Sequence, residues 1–276
     1  MIGLIATGFF TAAATLCYGL CRGSKRCLKI TETSVETACL EKGQRLRILH
    51  MTDLHGNSEH CMNLDIWPAA LQLDVDMAVI TGDVIVNDIK ELHPHLDGIR
   101  KLAQKMPVFF VDGNHEKFFV QECQQLLEEN GVNVLYNTTH DMEIGSTLLT
   151  VIGFRDYTYL KRRKFQDIAA VFQGFRPDQT RRFVIVLTHQ PQLFPRLAEF
   201  GVDLVLAGHT HGGQVRLPLF PVLYAPGQGI LPQYGYGLYK LGGSRLFVSK
   251  GIGTTHFPIR FWNRPELAVI TVKRKV

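Results

Sequence analysis

Five short segments of the chain carry side chains suited to binding divalent metal ions. They are Asp53 and His55, then Gly82-Asp83, then Gly113-Asn114-His115-Glu116, then His189, then Gly208-His209-Thr210-His211. Carboxylate oxygen, amide oxygen and imidazole nitrogen suit hard-to-borderline cations. No cysteine falls in any of these segments, which sets aside a cysteine-bound structural zinc. Asp53, His55, Asp83, Asn114, His189, His209 and His211 offer seven ligands, enough for two ions if one ligand bridges. A carboxylate such as Asp83, with two oxygens, is able to do so. Taken singly these groups are weak signals. An Asp-x-His pair is usually structural, an Asp after a strand is commonly a helix cap, and a solitary His is more often satisfied in a core. Their joint occurrence argues for a site.

Each segment follows a short apolar run: Arg47–Met51, Met77–Thr81, Val108–Val111, Phe183–Thr188 and Leu204–Ala207. These read as strands, as do Leu148–Gly153, Leu246–Lys250 and Leu267–Val272. Helix-like stretches lie between the early strands, at Ile66–Leu73, Leu92–Lys105 (closed by Pro107) and Cys123–Asn130 (stopped by Gly131). Alternating strands and helices predict βαβ units in a layered α/β fold, either one mixed sheet or two packed sheets with helices outside. Every ligand group then sits at the carboxyl edge of a sheet, where such folds place ligands. The spacing of Asp53-x-His55 and His209-x-His211 predicts that each pair points to one side of an extended segment, with Gly82, Gly113 and Gly208 permitting tight turns. The helix pattern thins in the second half, and Gly212 to Gly243, rich in Gly, Pro and Tyr, reads as long loops near the site. The polar stretch 31–45 leads into the core and contributes an edge strand at most. Glu116 reads as a helix-start residue placed by the macrodipole.

The chain has 276 residues, 46% of them hydrophobic and 20% charged, which suits a globular protein with a sizeable core. The net charge of +5 is concentrated at the start: residues 1–30 contain Arg22, Lys25, Arg26 and Lys29 but no Asp or Glu. The remainder is close to neutral, so a domain-wide electrostatic footprint for nucleic acid is absent. The six cysteines (Cys17, Cys21, Cys27, Cys39, Cys61 and Cys123) form no CxxC pair and read as free thiols in a reducing compartment.

Met1–Leu20 is uncharged and about as long as a helix that crosses a bilayer. Basic residues follow this run rather than precede it, which favours an uncleaved anchor with the following domain on the cytoplasmic side. A cleaved signal, a lipid attachment at Cys17 or Cys21, and a buried helix are the other readings. The expected organisation is therefore an anchor or signal segment over 1–21, a basic juxtamembrane segment and lead-in over 22–45, and a catalytic domain over 46–276.

The ordered motifs Asp-x-His, Gly-Asp, Gly-Asn-His-Glu, a lone His and Gly-His-Thr-His resemble those of the calcineurin-like metallophosphoesterases. The resemblance covers roughly residues 45–276. Gly-His-Thr-His-Gly-Gly-Gln (208–214), the following Val-Arg-Leu-Pro, Gly-Ile-Gly (251–253), Pro-Ile-Arg (258–260) and Arg-Pro-Glu-Leu (264–267) are similar to a subgroup. That subgroup contains the YkuE-like and YaeI-like bacterial phosphoesterases and the pyrophosphatases acting on UDP-2,3-diacylglucosamine. The resemblance implies a four-layer fold of two packed mixed sheets flanked by helices, preceded here by the N-terminal membrane helix. It implies two divalent ions, with manganese favoured and iron, zinc or cobalt as alternatives. The first would take Asp53, His55, Asp83 and His211, and the second Asp83, Asn114, His189 and His209, with Asp83 bridging. His115 would bind no metal and would face the substrate phosphate, stabilising charge or protonating the leaving group; a role in orienting a ligand is the alternative. The reaction would be in-line attack of a metal-bridging hydroxide on phosphorus. Gly153–Asp156 (Gly-Phe-Arg-Asp) departs from the Gly-x-Asp-Asp often found there, which touches substrate fit only.

The expected substrate is a phosphorylated small molecule or a lipid-linked or nucleotide-linked phosphoester or anhydride. A nuclease of the same superfamily and a non-catalytic scaffold are the competing classes. The near-neutral domain argues against the first, and the full ligand set against the second. Lys161–Lys164 reads as a solvated basic loop, with capture of an anionic headgroup as its second reading. Phe257, Phe261 and Trp262 read as core, with contact to an acyl chain or bilayer as theirs.

Overall fold

The computed structural model describes residues 27–56, 64–156, 164–173, 182–216, 221–254 and 259–275. The apolar segment 1–21, Cys17, Cys21, Cys61, Lys161–Arg163 and Phe257 lie outside these residues. The strands are β1 (Lys29–Thr37), β2 (Arg45–Met51), β3 (Met77–Thr81), β4 (Val108–Val111), β5 (Asn133–Val134), β6 (Thr138–Ile144) and β7 (Thr147–Gly153) in the first half. The second half adds β8 (Arg182–Leu187), β9 (Leu204–Ala207), β10 (Tyr224–Ala225), β11 (Gly229–Ile230), β12 (Gly237–Leu241), β13 (Ser244–Val248) and β14 (Glu266–Arg274). The helices are α1 (Ile66–Gln72), α2 (His93–Ala103), α3 (Val120–Glu129), α4 (Lys164–Val171) and α5 (Phe194–Glu199).

Two six-stranded mixed sheets result, one ordered β1-β14-β2-β3-β4-β5 and the other β12-β13-β9-β8-β7-β6, with β10 and β11 as a separate hairpin. Period-2 alternation explains how they stack. On β3, Met77 and Val79 point to the centre while Ala78 and Ile80 point outward; on β8, Phe183, Ile185 and Leu187 point inward while Val184 and Val186 point outward. The inward sets of both sheets share one core that also takes in Ile48, Phe109, Leu206, Phe247 and Ile270. The outward residues of the first sheet pack beneath α1, α2 and α3, and those of the second beneath α4 and α5. The layers are helix, sheet, sheet, helix. His50 lies in the central layer, its Nε2 2.8 Å from Thr81 Oγ1, and burial holds its pKa down at about 3, so it is a neutral core histidine.

Several expectations are corrected here. The stretch Gly212–Gly243 is not all loop: it contains β10, β11 and the edge strand β12 (Gly-Leu-Tyr-Lys-Leu), whose Gly237 and Lys240 hid a strand pattern. The second half also holds α4 and α5, too short for a helical periodicity to show; α5 follows a 3-10 turn and carries Pro195 in its first turn, where the missing N–H costs nothing. The polar strand β6 pairs antiparallel with β7 along its whole length and forms an edge, where polar side chains discourage further pairing. The edge strand expected within 31–45 begins at Lys29 and pairs parallel with β14. The expected membrane helix lies within residues 1–21, outside the described residues; among the described residues no helix is long and apolar enough to cross a membrane.

A stability consequence follows from Asp203, just before β9. Its carboxylate accepts the Val184 amide at 2.8 Å. Burial raises its pKa from 3.8 to about 6, against the opposing pull of that hydrogen bond. Between those values the folded state keeps a proton that the unfolded chain has lost, so this group lowers stability as pH rises through the window. Thermal unfolding of the metal-free chain from pH 4 to 6 should therefore show a shallower fall for Asp203→Asn than for the parent. An unchanged slope would remove Asp203 as a contributor.

Candidate metal centre

The carboxyl ends of β2, β3, β4, β8 and β9 meet at one edge of the two sheets. Asp53 N donates to Gly82 O (3.0 Å), His55 N to Asp83 O (3.0 Å) and Gly208 N to His189 O (3.1 Å), so the ligand loops are stitched to one another through the backbone. Asp53, His55, Asp83, His209 and His211 all have φ between +48° and +69°. Left-handed backbone is uncommon in residues other than glycine and concentrates at functional sites. This corrects the expectation of extended pairs: Asp53 and His55, like His209 and His211, reach the same side because both members of each pair are left-handed, not because a strand alternates. Gly208 is needed for close approach, since a Cβ there would overlap Thr52 Oγ1 and lie 2.6 Å from Asp53 Oδ2.

The side chains form groups able to hold an ion: Asp53, His55 and His211; Asp83, His189 and His209; and His55, Asp83 and His115. His55 Nε2 and His211 Nε2 are 3.2 Å apart, and His189 Nε2 and His209 Nδ1 3.1 Å. Two nitrogens bound to one ion at about 2.1 Å lie roughly 3.0–3.4 Å apart, so these spacings fit shared ligation. Asp83 Oδ2 is 3.1 Å from His189 Nε2 and 3.9 Å from both His55 Nε2 and His115 Nε2. Asp53 Oδ1 is buried without a hydrogen bond, 3.4 Å from His211 Nε2. A buried carboxylate oxygen left in this state is one that an ion would satisfy. Asn114 stands on the same loop as His115, half-buried with its Oδ1 inside.

The imidazoles are oriented from behind. His189 Nδ1 donates to Thr81 O (2.7 Å), and His115 Nδ1 to Val86 O (2.9 Å), which leaves each Nε2 facing the site. Burial pushes Asp53 up to about 6 despite the opposing pull of His189. Burial also lowers His55 to about 3 and His209 to about 4, and holds His211 well below its ordinary value. Burial opposes both charges of the Asp83–His189 pair, yet their mutual attraction wins. Asp83 stays below the usual carboxylate range, helped by His55 and His115, and His189 stays well above its ordinary value.

Three residues matter more than the sequence indicated. Glu116 opens a 3-10 turn, but its main role is not with the helix dipole. Fully buried, its carboxylate accepts the amides of Asp83 (2.9 Å), Val84 (2.8 Å), Ile85 (3.2 Å) and Gly113 (2.7 Å), clamping the β3 and β4 loops together. Burial, with the Asp83 charge adding, raises it to about 8, while the Gly113 and Ile85 amides act in the other direction. Arg260 is fully buried, donates to Lys250 O (3.0 Å) and Gly253 O, and lies 3.4 Å from His211 Nδ1; burial brings it down to about 10. Asn263 Nδ2 holds His211 O at 2.6 Å. In the divergent Gly153–Asp156 segment, Arg155 Nε pairs with buried Asp112 at 3.1 Å.

A family model described as calcineurin-like phosphoesterase matches residues 46–213. The chain belongs to this family. Metallophosphoesterase YkuE of Bacillus subtilis (strain 168) is 26% identical to it, over 99% of this chain and 95% of that protein. Metallophosphoesterase Cj0846 of Campylobacter jejuni is 30% identical, over 94% of this chain and 67% of that protein. Phosphodiesterase YaeI of Escherichia coli (strain K12) is 25% identical, over 81% of each. Membership makes the protein a phosphoester hydrolase, and the clustered donors are its candidate metal ligands.

Proposed function

We propose that the protein is a phosphodiesterase or pyrophosphatase acting on a lipid-linked or nucleotide-linked substrate. UDP-2,3-diacylglucosamine is the most specific candidate. Residues 1–21 would anchor the enzyme to a membrane, with the catalytic domain on the cytoplasmic side. The observation that carries the hydrolytic part is the Asp83 carboxylate, which takes part in both ion-binding groups that do not contain Asp53. One ion is assigned to Asp53, His55, Asp83 and His211, the other to Asp83, Asn114, His189 and His209. Manganese is the proposed metal; the oxygen and imidazole donors would also suit iron, zinc or cobalt. The uncharged Met1–Leu20 and the basic residues after it support the anchor. The relative named a phosphodiesterase supports a diester bond.

Two divalent ions bound here would supply an activated water and offset charge on the phosphate oxygens. The chain's own residues do the rest. The left-handed loops fix the donors, and Thr81 and Val86 set the tautomers of His189 and His115. With Nδ1 committed to Val86 O, His115 presents Nε2 to the site, where its protonated form donates to the leaving oxygen. Its side chain is 16% exposed, whereas those of His55, His189 and His211 are sealed. His115→Ala should lower turnover about 10²–10⁴-fold, the range for a positioned acid, and leave metal content intact. Metal lost together with activity would make His115 a ligand instead.

The substrate is tested with the full chain in detergent, stripped and reloaded with Mn²⁺, on bis-p-nitrophenyl phosphate and UDP-2,3-diacylglucosamine side by side. Preferential cleavage of the lipid-linked anhydride would uphold the specific reading. Cleavage of the simple diester alone would leave a general phosphodiesterase and remove the lipid substrate.

A further inference from the structure

Topology ties the N-terminal segment to the edge of the molecule that carries the metal ligands. Lys29, the first residue of β1, pairs with Glu266, the first residue of β14. Because β14 runs antiparallel to β2, its start lies beside the end of β2, from which Asp53 and His55 follow. The row continues inward: Glu266 N donates to Gly251 O (3.1 Å), and a Cβ on Gly251 would lie 2.7 Å from Asp53 Cβ. Arg264 pins the incoming chain here, with Nε to Cys27 O and Nη2 to Leu28 O, both at 3.0 Å. The chain that follows the apolar run Met1–Leu20 and the basic residues Arg22, Lys25 and Arg26 thus enters the domain, at Cys27, on the edge that carries the metal ligands.

The same edge exposes large apolar side chains. The β10–β11 hairpin presents Leu223, Tyr224, Ile230 and Leu231, with Ile230 82% and Leu231 63% exposed. It sits against the ligand loop: a Cβ on Gly227 would lie 3.1 Å from His209 Nε2, and one on Gly213 would lie 3.0 Å from Tyr224 O. The adjoining strip, joined by Arg216 N to Phe261 O (3.0 Å), exposes Ile259 and Trp262, the latter 48%. Trp262 stands on the surface rather than in the core, which leaves its second reading, contact with an acyl chain or bilayer; its backbone, like that of Leu231, is left-handed (φ 48° and 51°). Both bulky side chains are exposed and sit on sparsely populated backbone, and with the hairpin they form an apolar patch of the kind that marks interaction surfaces.

Charge identifies the partner. No Asp or Glu occurs between Asp203 and Glu266, and none before Glu32, while Lys29 and Arg264 stand exposed at this edge beside half-buried Arg216. Exposed aromatic and aliphatic side chains within an acid-free, basic stretch match an anionic lipid interface. We infer that the edge bearing the metal-ligand loops is the membrane-facing surface of the protein, seated on anionic lipid through the 223–231 hairpin and Trp262. This rests on the anchored reading above and adds to it an orientation: the reaction centre opens toward the headgroup layer, so a lipid-linked phosphate reaches it without leaving the bilayer.

The two tryptophans, Trp67 and Trp262, allow a direct test. Trp67 lies near the same edge but is partly buried on α1, its indole donating to His95 Nδ1 at 3.2 Å, so it is packed into the helix layer rather than standing in solvent. The full chain is reconstituted into phosphatidylglycerol–phosphatidylcholine vesicles with brominated acyl chains, as Trp67→Phe and as Trp262→Phe, each variant first shown to keep the parent's thermal transition. Trp262 alone should lose about half its emission, as a ring inserted 5–10 Å deep would, while Trp67 alone should be hardly quenched. Vesicle-bound protein with Trp262 unquenched, or with both quenched alike, would overturn the orientation and leave the anchor standing. Protein that fails to float with the vesicles would overturn both.

Discussion

Asp83→Asn is expected to fold, to bind fewer than two ions and to lose roughly 10³-fold in turnover, given that losing even an outer partner of a metal ligand costs 10–100-fold in affinity or activity and losing one transition-state donor 10²–10³-fold in rate. The asparagine is chosen because residue 83 has φ 52°, a conformation that Asn tolerates as well as Asp, whereas Ala would add backbone strain to the chemical loss. What the substitution removes is charge. Asp83 faces His189 at 3.1 Å and His55 at 3.9 Å, and its second oxygen, Oδ1, takes the His115 amide at 3.0 Å. A neutral amide keeps the shape but does not bridge two cations. Counting bound metal alongside kcat/KM on bis-p-nitrophenyl phosphate checks the expectation. Full activity with two ions retained would show that the bridge lies elsewhere.

Glu116→Gln should have the largest effect on stability for the least change in volume. Each carboxylate oxygen accepts two backbone amides, Val84 and Ile85 on one and Asp83 and Gly113 on the other. Either orientation of a glutamine amide turns an NH₂ group toward two of those donors. Two buried N–H groups without partners cost about 1–3 kcal/mol each, which for a domain of this size lowers Tm by roughly 10 °C. The clamp joins the loops bearing Asp83, Asn114 and His115, so metal affinity should fall about 10–100-fold as well. Differential scanning calorimetry of the metal-free and loaded forms reads both effects. A Tm within a degree of the parent would return Glu116 to the minor role of a turn-opening residue.

The contrast between Asp83 and Glu116 shows what kind of information the sequence holds. Strands β3, β4 and β9 match the apolar runs residue for residue because strands buried on both faces read as unbroken hydrophobic segments. Ligands placed directly after such runs are visible for the same reason. Strands β6 and β12 escaped because edge strands are polar or glycine-bearing, and their pairing is decided by neighbours far along the chain. The left-handed backbone at Asp53, His55, Asp83, His209 and His211 has no composition signal, since none of these residues is glycine. Glu116, Arg260 and Asn263 gain their roles only through tertiary contacts: a carboxylate facing four amides from two loops looks, in sequence, like any acid opening a turn. The Pro-Ile-Arg at 258–260 stood out as a pattern, but only the fold shows its arginine buried against His211.

The most direct test of the two-ion centre is a metal titration of the stripped, full-length protein in detergent, following bound Mn²⁺ and hydrolysis of bis-p-nitrophenyl phosphate in the same samples. The convergent groups around Asp53 and Asp83 predict two ions per chain, with turnover rising to its limit only as the second ion binds. Full turnover at one ion, or turnover with none, would contradict a shared two-ion site.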